Sequence, residues 1–241
     1  MITVKEQYMS TISKEHSDRL YWLGRYTERF FTTLKALDKM FDRMLGQSHI
    51  YTEYLDHFGI VNTYSDSREF IRSFLYDEFN PNSAAYSLER AYDNGIVLRE
   101  EISTPALSFL QMAKDTLENS ESSCNTRLSL IPLEDIMFGF WGCINEHIYD
   151  DEIRNIIYIG KTVERLDLYI RMKYPFGTVE KEFVRLLKNL RRVPKDTPYR
   201  YNTKHLSELV EILGTEEDYR QNAKQAVSSL ENLFKAEEVY A

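Results

Sequence analysis

Residues 20–37 read LYWLGRYTERFFTTLKAL, and residues 156–173 read IIYIGKTVERLDLYIRMK, so the chain contains two related stretches. Their matching positions at a constant offset are Gly24 and Gly160, Arg25 and Lys161, Glu28 and Glu164, and Arg29 and Arg165. The shared core is Gly-(Arg/Lys)-x-x-Glu-Arg, and it lies among apolar residues spaced three and four apart, as in a helix. The repetition predicts a pseudo-symmetric helical bundle built around the two copies.

The composition favours long helices over sheet. The 241 residues include nine Gly and six Pro, about half the average usage. No segment shows the strict alternation of a strand, and the length is ample for one large core. We therefore predict an all-α fold, a multi-helix bundle with an internal pseudo-twofold repeat of the Gly-(Arg/Lys)-x-x-Glu-Arg helix.

Caps and breakers divide the chain into predicted helices. The first major helix begins after an N-cap at Ser17 and ends near Leu45, before Gly46. Further helices are expected near 50–61, 65–78, 84–102, 104–118, 133–148, 152–174 and 178–193. Their predicted N-caps include Thr104 for the helix that ends near 118 and Asp150 or Asp151 for 152–174, and two more helices follow N-caps at Thr203 and Thr215. The polar stretch 119–129 is the best linker candidate, so a single domain over 1–241 would consist of halves at about 1–118 and 130–241.

The net charge of −8 argues against nucleic acid or an anionic membrane as the main ligand. A local basic cluster does exist, and it consists of Lys188, Arg191, Arg192, Lys195 and Arg200. Its simplest interpretation is a solvated helix end, where cations complement the helix dipole.

Cysteine usage and hydropathy predict a cytoplasmic protein. Cys124 lies in the polar linker and Cys143 in an apolar run, so a disulfide is not expected and a reducing compartment fits. No signal peptide and no apolar run long enough to span a membrane is present in the sequence.

The Glu-Arg pairs have two interpretations. If the two copies pack antiparallel about a pseudo-twofold axis, Glu28 can meet Arg165 and Glu164 can meet Arg29, which would hold the helices in register. Arg25 lies three residues before Glu28 and could pair with it locally. Alternatively, the same residues form a pocket for an anionic group or a peptide. A Gly one turn before each Glu suggests that another backbone comes close there.

These motifs resemble the Alpha-E family, a helical domain with a Glu-Arg motif. LYWLGRYTER and its echo IIYIGKTVER carry the resemblance, and the segment from Ala91 to Leu110, with Arg99 in it, resembles the family's central helix. There the family's Ala-Arg-Glu-Asn-Ala-Arg run is replaced by the sequence AYDNGI at 91–96, so both of its arginines are absent. This departure leaves the identity of any ligand open.

The resemblance implies a function in company with other proteins. Members of the family occur beside, or fused to, ATP-grasp peptide ligases, which implies a part in making or modifying peptides. The family has no established catalytic residue to carry over. Its motif maps onto Glu28-Arg29 and Glu164-Arg165, and the remaining candidate binding residues are Arg25, Lys161 and Arg99.

Other chemistries find little support in the sequence. The Glu-x-x-His spacing of di-metal bundles is absent, and so are glycine-rich phosphate loops, so we expect no metal and no cofactor. Glu53 and His57 form an isolated pair four residues apart. The aromatic run Phe138, Phe140 and Trp141 fits a core, or a partner-docking patch if it is exposed.

The sequence therefore predicts a non-catalytic helical partner or scaffold that acts with an ATP-grasp-type ligase, a peptide substrate, or both. The alternative is an enzyme in its own right that uses the paired Glu-Arg motifs on a peptide or an anionic substrate. A third possibility is a structural module that forms homo-oligomers. Nucleic acid and membrane are not expected partners.

Overall fold

The computed structural model describes residues 12–44, 49–122, 126–194, 197 and 200–234, and within them it contains α-helices and no strand. The helices are α1 (Lys14–Met44), α2 (Ile50–Phe58), α3 (Ser67–Tyr76), α4 (Ala84–Val97), α5 (Thr104–Glu121), α6 (Thr126–His147), α7 (Asp151–Arg171), α8 (Phe176–Arg192), α9 (Thr203–Ile212) and α10 (Glu216–Asn232). The all-α class is confirmed. No described helix is both long and apolar enough to cross a membrane.

Short polar side chains begin most of these helices, though often one residue from the predicted position. Asp150 and Thr215 cap α7 and α10 as expected, because their side chains accept hydrogen bonds from the first-turn backbone N–H groups. Two other caps lie one residue earlier than predicted, at Ser103 for α5 and at Asn202 for α9. The predicted start of α8 at Thr178 is also late, since α8 begins at Phe176 after Pro175.

The start of α1 differs from the prediction. Ser13 accepts a hydrogen bond from the backbone N–H of His16, and the helix begins at Lys14. Ser17, predicted as the cap, is buried inside the first turns and donates its hydroxyl to the Ser13 carbonyl. The predicted end at Leu45 and Gly46 lies outside the described residues.

The predicted linker 119–129 is mostly helical. The α5 helix continues to Glu121 and α6 already begins at Thr126, although α6 was expected only from Leu133. The polar composition of this stretch predicted a loop. The helix α6 nevertheless begins at Thr126 and continues through Pro132, although a proline inside a helix removes one of its hydrogen bonds. Residues 123–125, including Cys124, lie outside the described residues.

Helices α1 and α7 form the centre of the bundle. They pack on each other, while α4 and α6 also pack on α1, and α8 and α10 on α7. One hydrophobic cluster extends from Ile12 to Leu233. The helices that carry the two sequence copies are therefore neighbours, as the shared motif predicted, and they bring its charged residues into the interior.

Candidate functional site

Gly24 and Gly160 mark the place where α1 and α7 touch through their backbones. A Cβ built on Gly24 would lie 2.1 Å from the carbonyl oxygen of Ile157, and one built on Gly160 would lie 2.1 Å from the carbonyl oxygen of Tyr21. Both distances are far below van der Waals contact, so neither position has room for a side chain. The close backbone approach expected from the two glycines is confirmed.

The two helices run in the same direction. The residue numbers of contacting pairs rise together along the two helices. Gly24 contacts Ile157, Arg29 pairs with Glu164, and the Lys39 ammonium lies 6.0 Å from the centre of the ring of Tyr174, just after α7. In an antiparallel pair the numbers of one helix would fall as those of the other rose. The antiparallel packing expected from the sequence is therefore wrong, and the crossed ion pairs form between parallel helices.

Glu164 is held by two arginine side chains from α1. The Arg25 Nε donates to Glu164 Oε2 at 2.7 Å, and Arg29 donates from Nε to Oε1 at 2.6 Å and from Nη2 to Oε2 at 3.0 Å. Glu164 and Arg25 are buried. The local pairing of Arg25 with Glu28 that the sequence suggested is wrong, because the close helix contact brings Glu164 within reach.

Glu28 forms the reciprocal pair with Arg165, but only one of its two carboxylate oxygens has a partner among the described residues. The Arg165 Nε donates to Glu28 Oε1 at 2.7 Å, and its Nη2 lies 2.6 Å from the same oxygen. The other oxygen, Oε2, is buried and accepts no hydrogen bond in the described part of the chain. Both crossed pairs, Arg29 with Glu164 and Arg165 with Glu28, were predicted. We call Arg25, Glu28, Arg29, Glu164 and Arg165 the Glu-Arg seam.

Burial affects the two carboxylates differently. Burial opposes the ionisation of Glu164, but the Arg29 and Arg25 guanidinium groups outweigh it and hold the pKa of Glu164 at about 2. For Glu28, burial is the larger effect and raises the pKa above its usual value, although Arg165 and Lys161 oppose the rise. Glu164 is therefore a firmly ionised anchor, and Glu28 is the seam carboxylate that takes up a proton more readily.

Lys161 takes the place of Arg25 in the second copy but makes no equivalent contact. Its Nζ lies 3.6 Å from the centre of the Trp141 ring of α6, a cation–π contact. Among the described residues, no carboxylate oxygen lies within 4.0 Å of this ammonium group. Burial lowers the pKa of Lys161 to about 8, although the nearby Glu28 opposes the shift. The seam is therefore asymmetric at this position.

The seam borders a cavity of about 630 Å³, within the size range of small-molecule sites. Its lining includes Glu28, Arg165, Lys35 and Lys39. Phe138 lies there too and packs edge-on against Phe31 with ring centres 5.3 Å apart. The same cavity is therefore lined by a carboxylate with one unpartnered oxygen, by cations and by aromatic rings.

Arg99 is the one predicted site residue that the structure does not bring to the seam. It follows the end of α4, is exposed, and has its Nε 3.3 Å from the carboxylate of its neighbour Glu100. The segment resembling the central helix is divided between α4 and α5. The remaining predicted residues, Arg25, Glu28, Arg29, Lys161, Glu164 and Arg165, lie together along α1 and α7.

Two residues near the seam were missed by sequence reasoning. Glu182 of α8 is buried and has an oxygen 3.7 Å from Arg165. Trp141 makes the cation–π contact with Lys161. The other residues of the predicted aromatic run lie on different faces of α6, so Phe140 is fully buried whereas Phe138 is 57% exposed. A charged residue on the apolar face of the amphipathic helix α8 was the signal that could have identified Glu182.

The seam is built for ion pairing. Within the described residues, no group of three or more His, Cys, Asp or Glu side chains could hold a metal ion. Cys143 is a free thiol whose pKa is raised by burial, which lowers its reactivity. The Glu-Arg pairs join charged side chains of two helices, and Glu28, within one of these pairs, and Lys161, beside it, are residues whose pKa values burial shifts toward the neutral form.

The sequence of the chain matches a known family of helical domains. Residues 15–229 match the model of Alpha-E, described as a predicted alpha-helical domain with a conserved ER motif. No curated protein and no solved structure matches the chain significantly. Because the family match covers nearly the whole chain and includes both copies of the Glu-Arg motif, the chain belongs to the Alpha-E family.

Proposed function

We propose that this domain is a helical scaffold that acts with an ATP-grasp-type peptide ligase in peptide synthesis or modification, without a catalytic step of its own. The observation that carries the proposal is the state of Glu164, whose two oxygens already accept three hydrogen bonds from Arg25 and Arg29. A carboxylate bound in this way has little capacity left for a substrate. This half of the motif therefore serves to join α1 to α7.

We also infer that the two sequence copies are related by an approximate twofold axis along the common direction of α1 and α7. The reciprocal contacts of Gly24 and Gly160 support the relation, as do the two crossed Glu-Arg pairs. Joined in this way, the two halves of the bundle would present their outer helices at a fixed angle. A fixed angle is what a partner protein needs for a repeatable docking geometry.

The partners proposed are the ligase and its peptide substrate, and the compartment proposed is the cytoplasm, where an ATP-dependent ligase has its nucleotide. With a net charge of −8, the chain would associate fastest with a basic partner or peptide, and salt would weaken that association. Nucleic acid, membrane and cofactors have no part in the proposal.

The experiment measures complex formation and turnover together. The purified chain is mixed with an ATP-grasp ligase from the same organism at low and at high salt, and the complex is measured by calorimetry. Ligase turnover is then compared with and without the chain. We expect a salt-sensitive complex, a faster ligase reaction and no turnover by the chain alone. Absence of binding at both salt concentrations would overturn the scaffold proposal.

The second candidate function is an enzyme that uses the Glu-Arg motif on a peptide or an anionic substrate. Glu28 favours it, because this carboxylate has an unpartnered buried oxygen, a raised pKa and a place in the lining of a cavity. A carboxyl group with a raised pKa in the lining of a cavity is a candidate for a general acid or base. Turnover by the isolated chain that is lost in Glu28→Gln, with the fold intact by circular dichroism, would support this alternative.

A further inference from the structure

A second cavity, of about 550 Å³, opens between α7 and α8 on the far side of Arg165. Its lining is dominated by positively charged side chains from both helices. These are Arg154, Lys161, Arg165, Arg185, Lys188 and Arg192. In a chain whose net charge is −8, six cations around one cavity form a strong local concentration of positive charge.

The carboxylates near this cavity are too few to neutralise it. Glu182 is the one acidic residue in its lining, and it already accepts a hydrogen bond from Arg185 at 2.7 Å and lies 3.7 Å from Arg165. Arg165 in turn donates to Glu28 of the seam. Arg154 donates to the Ile148 carbonyl and forms an ion pair with Asp151 of its own helix. These internal contacts fix the arginine side chains in place.

The other three cations have no such partners. Among the described residues, no carboxylate lies within ion-pair distance of Lys161, Lys188 or Arg192. Lys188 and Arg192 are exposed at the rim, and Lys161 is half-buried against Trp141. A half-buried ammonium group with no carboxylate at ion-pair distance is unfavourably placed, because burial disfavours its charged form. An anionic ligand would supply the missing counter-charge.

We infer that the cavity between α7 and α8 binds a small phosphate-bearing molecule. A phosphate group carries more than one charge and presents three oxygens, which suits several cations that converge from two helices. Asn189 and Tyr158 line the same cavity and add neutral hydrogen-bond donors. The volume fits a ligand of small-molecule size. This inference is independent of any ligase partner.

The site contacts the Glu-Arg seam through Arg165. Its guanidinium group pairs with Glu28, and its side chain lines both this cavity and the one beside Glu28. A phosphate group in the α7–α8 cavity would therefore lie beside Arg165, whose ion pair with Glu28 joins α1 to α7. Binding to the folded state alone also stabilises it, so the ligand should raise the midpoint of thermal unfolding.

The test uses inorganic pyrophosphate as the probe, with calorimetry on the full chain at low ionic strength. The variant Lys188→Glu/Arg192→Glu reverses the two rim cations. Its matched control is Lys181→Glu/Arg191→Glu, which makes the same charge change at exposed positions of α8 outside the cavity lining. We expect pyrophosphate affinity to fall at least about tenfold in the first variant and about twofold in the control, since solvent and salt screen distant charges.

Three results would overturn the inference. The first is no pyrophosphate binding by the unmodified chain, and the second is an equal loss of affinity in both double variants, which would show only a net-charge effect. The third is tighter binding of citrate or a triglutamate peptide than of pyrophosphate, which would assign the cavity to carboxylates. Trp141 fluorescence gives an independent measure, because a ligand at Lys161 should change the emission of the ring beneath that ammonium group.

Discussion

Gly24 of α1 and Gly160 of α7 lie where two parallel helix backbones touch, and each faces a carbonyl oxygen of the opposite helix. The ideal Cβ position of either residue is 2.1 Å from that oxygen. Because the contact is reciprocal, a side chain on either helix would separate both. The separation would also pull Glu164 away from Arg25 and Arg29, so the glycines control whether the seam can form.

The first prediction is that Gly24→Ala and Gly160→Ala each lower the free energy of unfolding, by about 3 kcal/mol or more, because the helices must move apart. Gly142→Ala is the matched control. Gly142 lies inside α6 with nothing within 4 Å of its Cβ position. There the same change should stabilise the protein by about 0.5–1 kcal/mol. Urea unfolding measures all three variants, and an unchanged midpoint for Gly24→Ala would contradict the backbone contact.

The second prediction concerns the unequal carboxylates. Glu164→Gln leaves two buried guanidinium groups without their counter-charge, so it should cost about 3–5 kcal/mol of stability. Glu28→Gln should cost about 2 kcal/mol less, since burial already favours the neutral form of Glu28 and an amide oxygen can still accept from Arg165. Chemical denaturation compares them. Glu216→Gln, at an exposed ion pair, is the control and should change stability by less than about 0.5 kcal/mol.

The third prediction is a coupling between Glu28 and Arg165. In a double-mutant cycle with alanine at both positions, the combined loss should be smaller than the sum of the single losses by about 1–3 kcal/mol. The control cycle pairs Glu28 with Arg99, which lies outside the seam, and should be additive within about 0.5 kcal/mol. Additive losses for Glu28 and Arg165 would mean that the ion pair contributes nothing to stability.

The sequence predicted the crossed pairs but not the direction of the helices. A motif with adjacent Glu and Arg on both copies satisfies crossed pairing in either orientation, so residue types alone could not distinguish parallel from antiparallel packing. Arg25 was assigned to Glu28 because a helix places residues three apart on one side. In the structure Arg25 pairs with Glu164 instead, because the two glycines let the helix backbones come close. The distance between two helices cannot be predicted from residue spacing within one of them.

The environment of Lys161 could not be predicted from the local sequence for a related reason. Trp141 is on α6 and Glu182 on α8, so their approach to the seam depends on how three helices pack. The basic residues near the end of α8 were read as a solvated helix end. Lys188, Arg191 and Arg192 are indeed exposed near the end of α8. Two of them, Lys188 and Arg192, also line a cavity with cations of α7, and Lys195 lies outside the described residues. Periodicity identified each helix but not which face meets which neighbour.

The fourth prediction concerns stability in acid. The folded pKa of Glu164 is about 2 and its ordinary value is 4.5. A lowered pKa contributes stability above 4.5 that is lost as the pH falls toward 2, and for Glu164 this is roughly 3 kcal/mol. Glu28 has a raised pKa and acts in the opposite sense, so the readout is the difference between unmodified chain and Glu164→Gln. That difference should shrink between pH 4.5 and pH 2; a constant difference would contradict the assignment.

The last prediction concerns the amine of Lys161. Burial lowers its pKa to about 8, below the usual 10.5, so its neutral, nucleophilic form is present nearer to neutral pH than that of an exposed lysine. The charged groups that face it are Glu28 from α1, Arg165 on α7, and Glu182 and Arg185 from α8. Glu28 favours the ammonium form, whereas Arg165 and Arg185 disfavour it.

Competitive acylation followed by mass spectrometry measures this pKa. The extent of labelling at Lys161 should reach half its maximum near pH 8, below the usual 10.5 of a lysine side chain, and exposed Lys204 is labelled alongside it as the control for reagent and accessibility. Pyrophosphate should suppress labelling of Lys161 and move its midpoint upward, because an anion stabilises the ammonium form. A midpoint for Lys161 near the usual 10.5 would contradict the buried environment of this amine. If the labelling midpoint of Lys161 lies near pH 8 but pyrophosphate does not suppress the labelling, the result would contradict the phosphate site. It would not contradict the Glu-Arg seam.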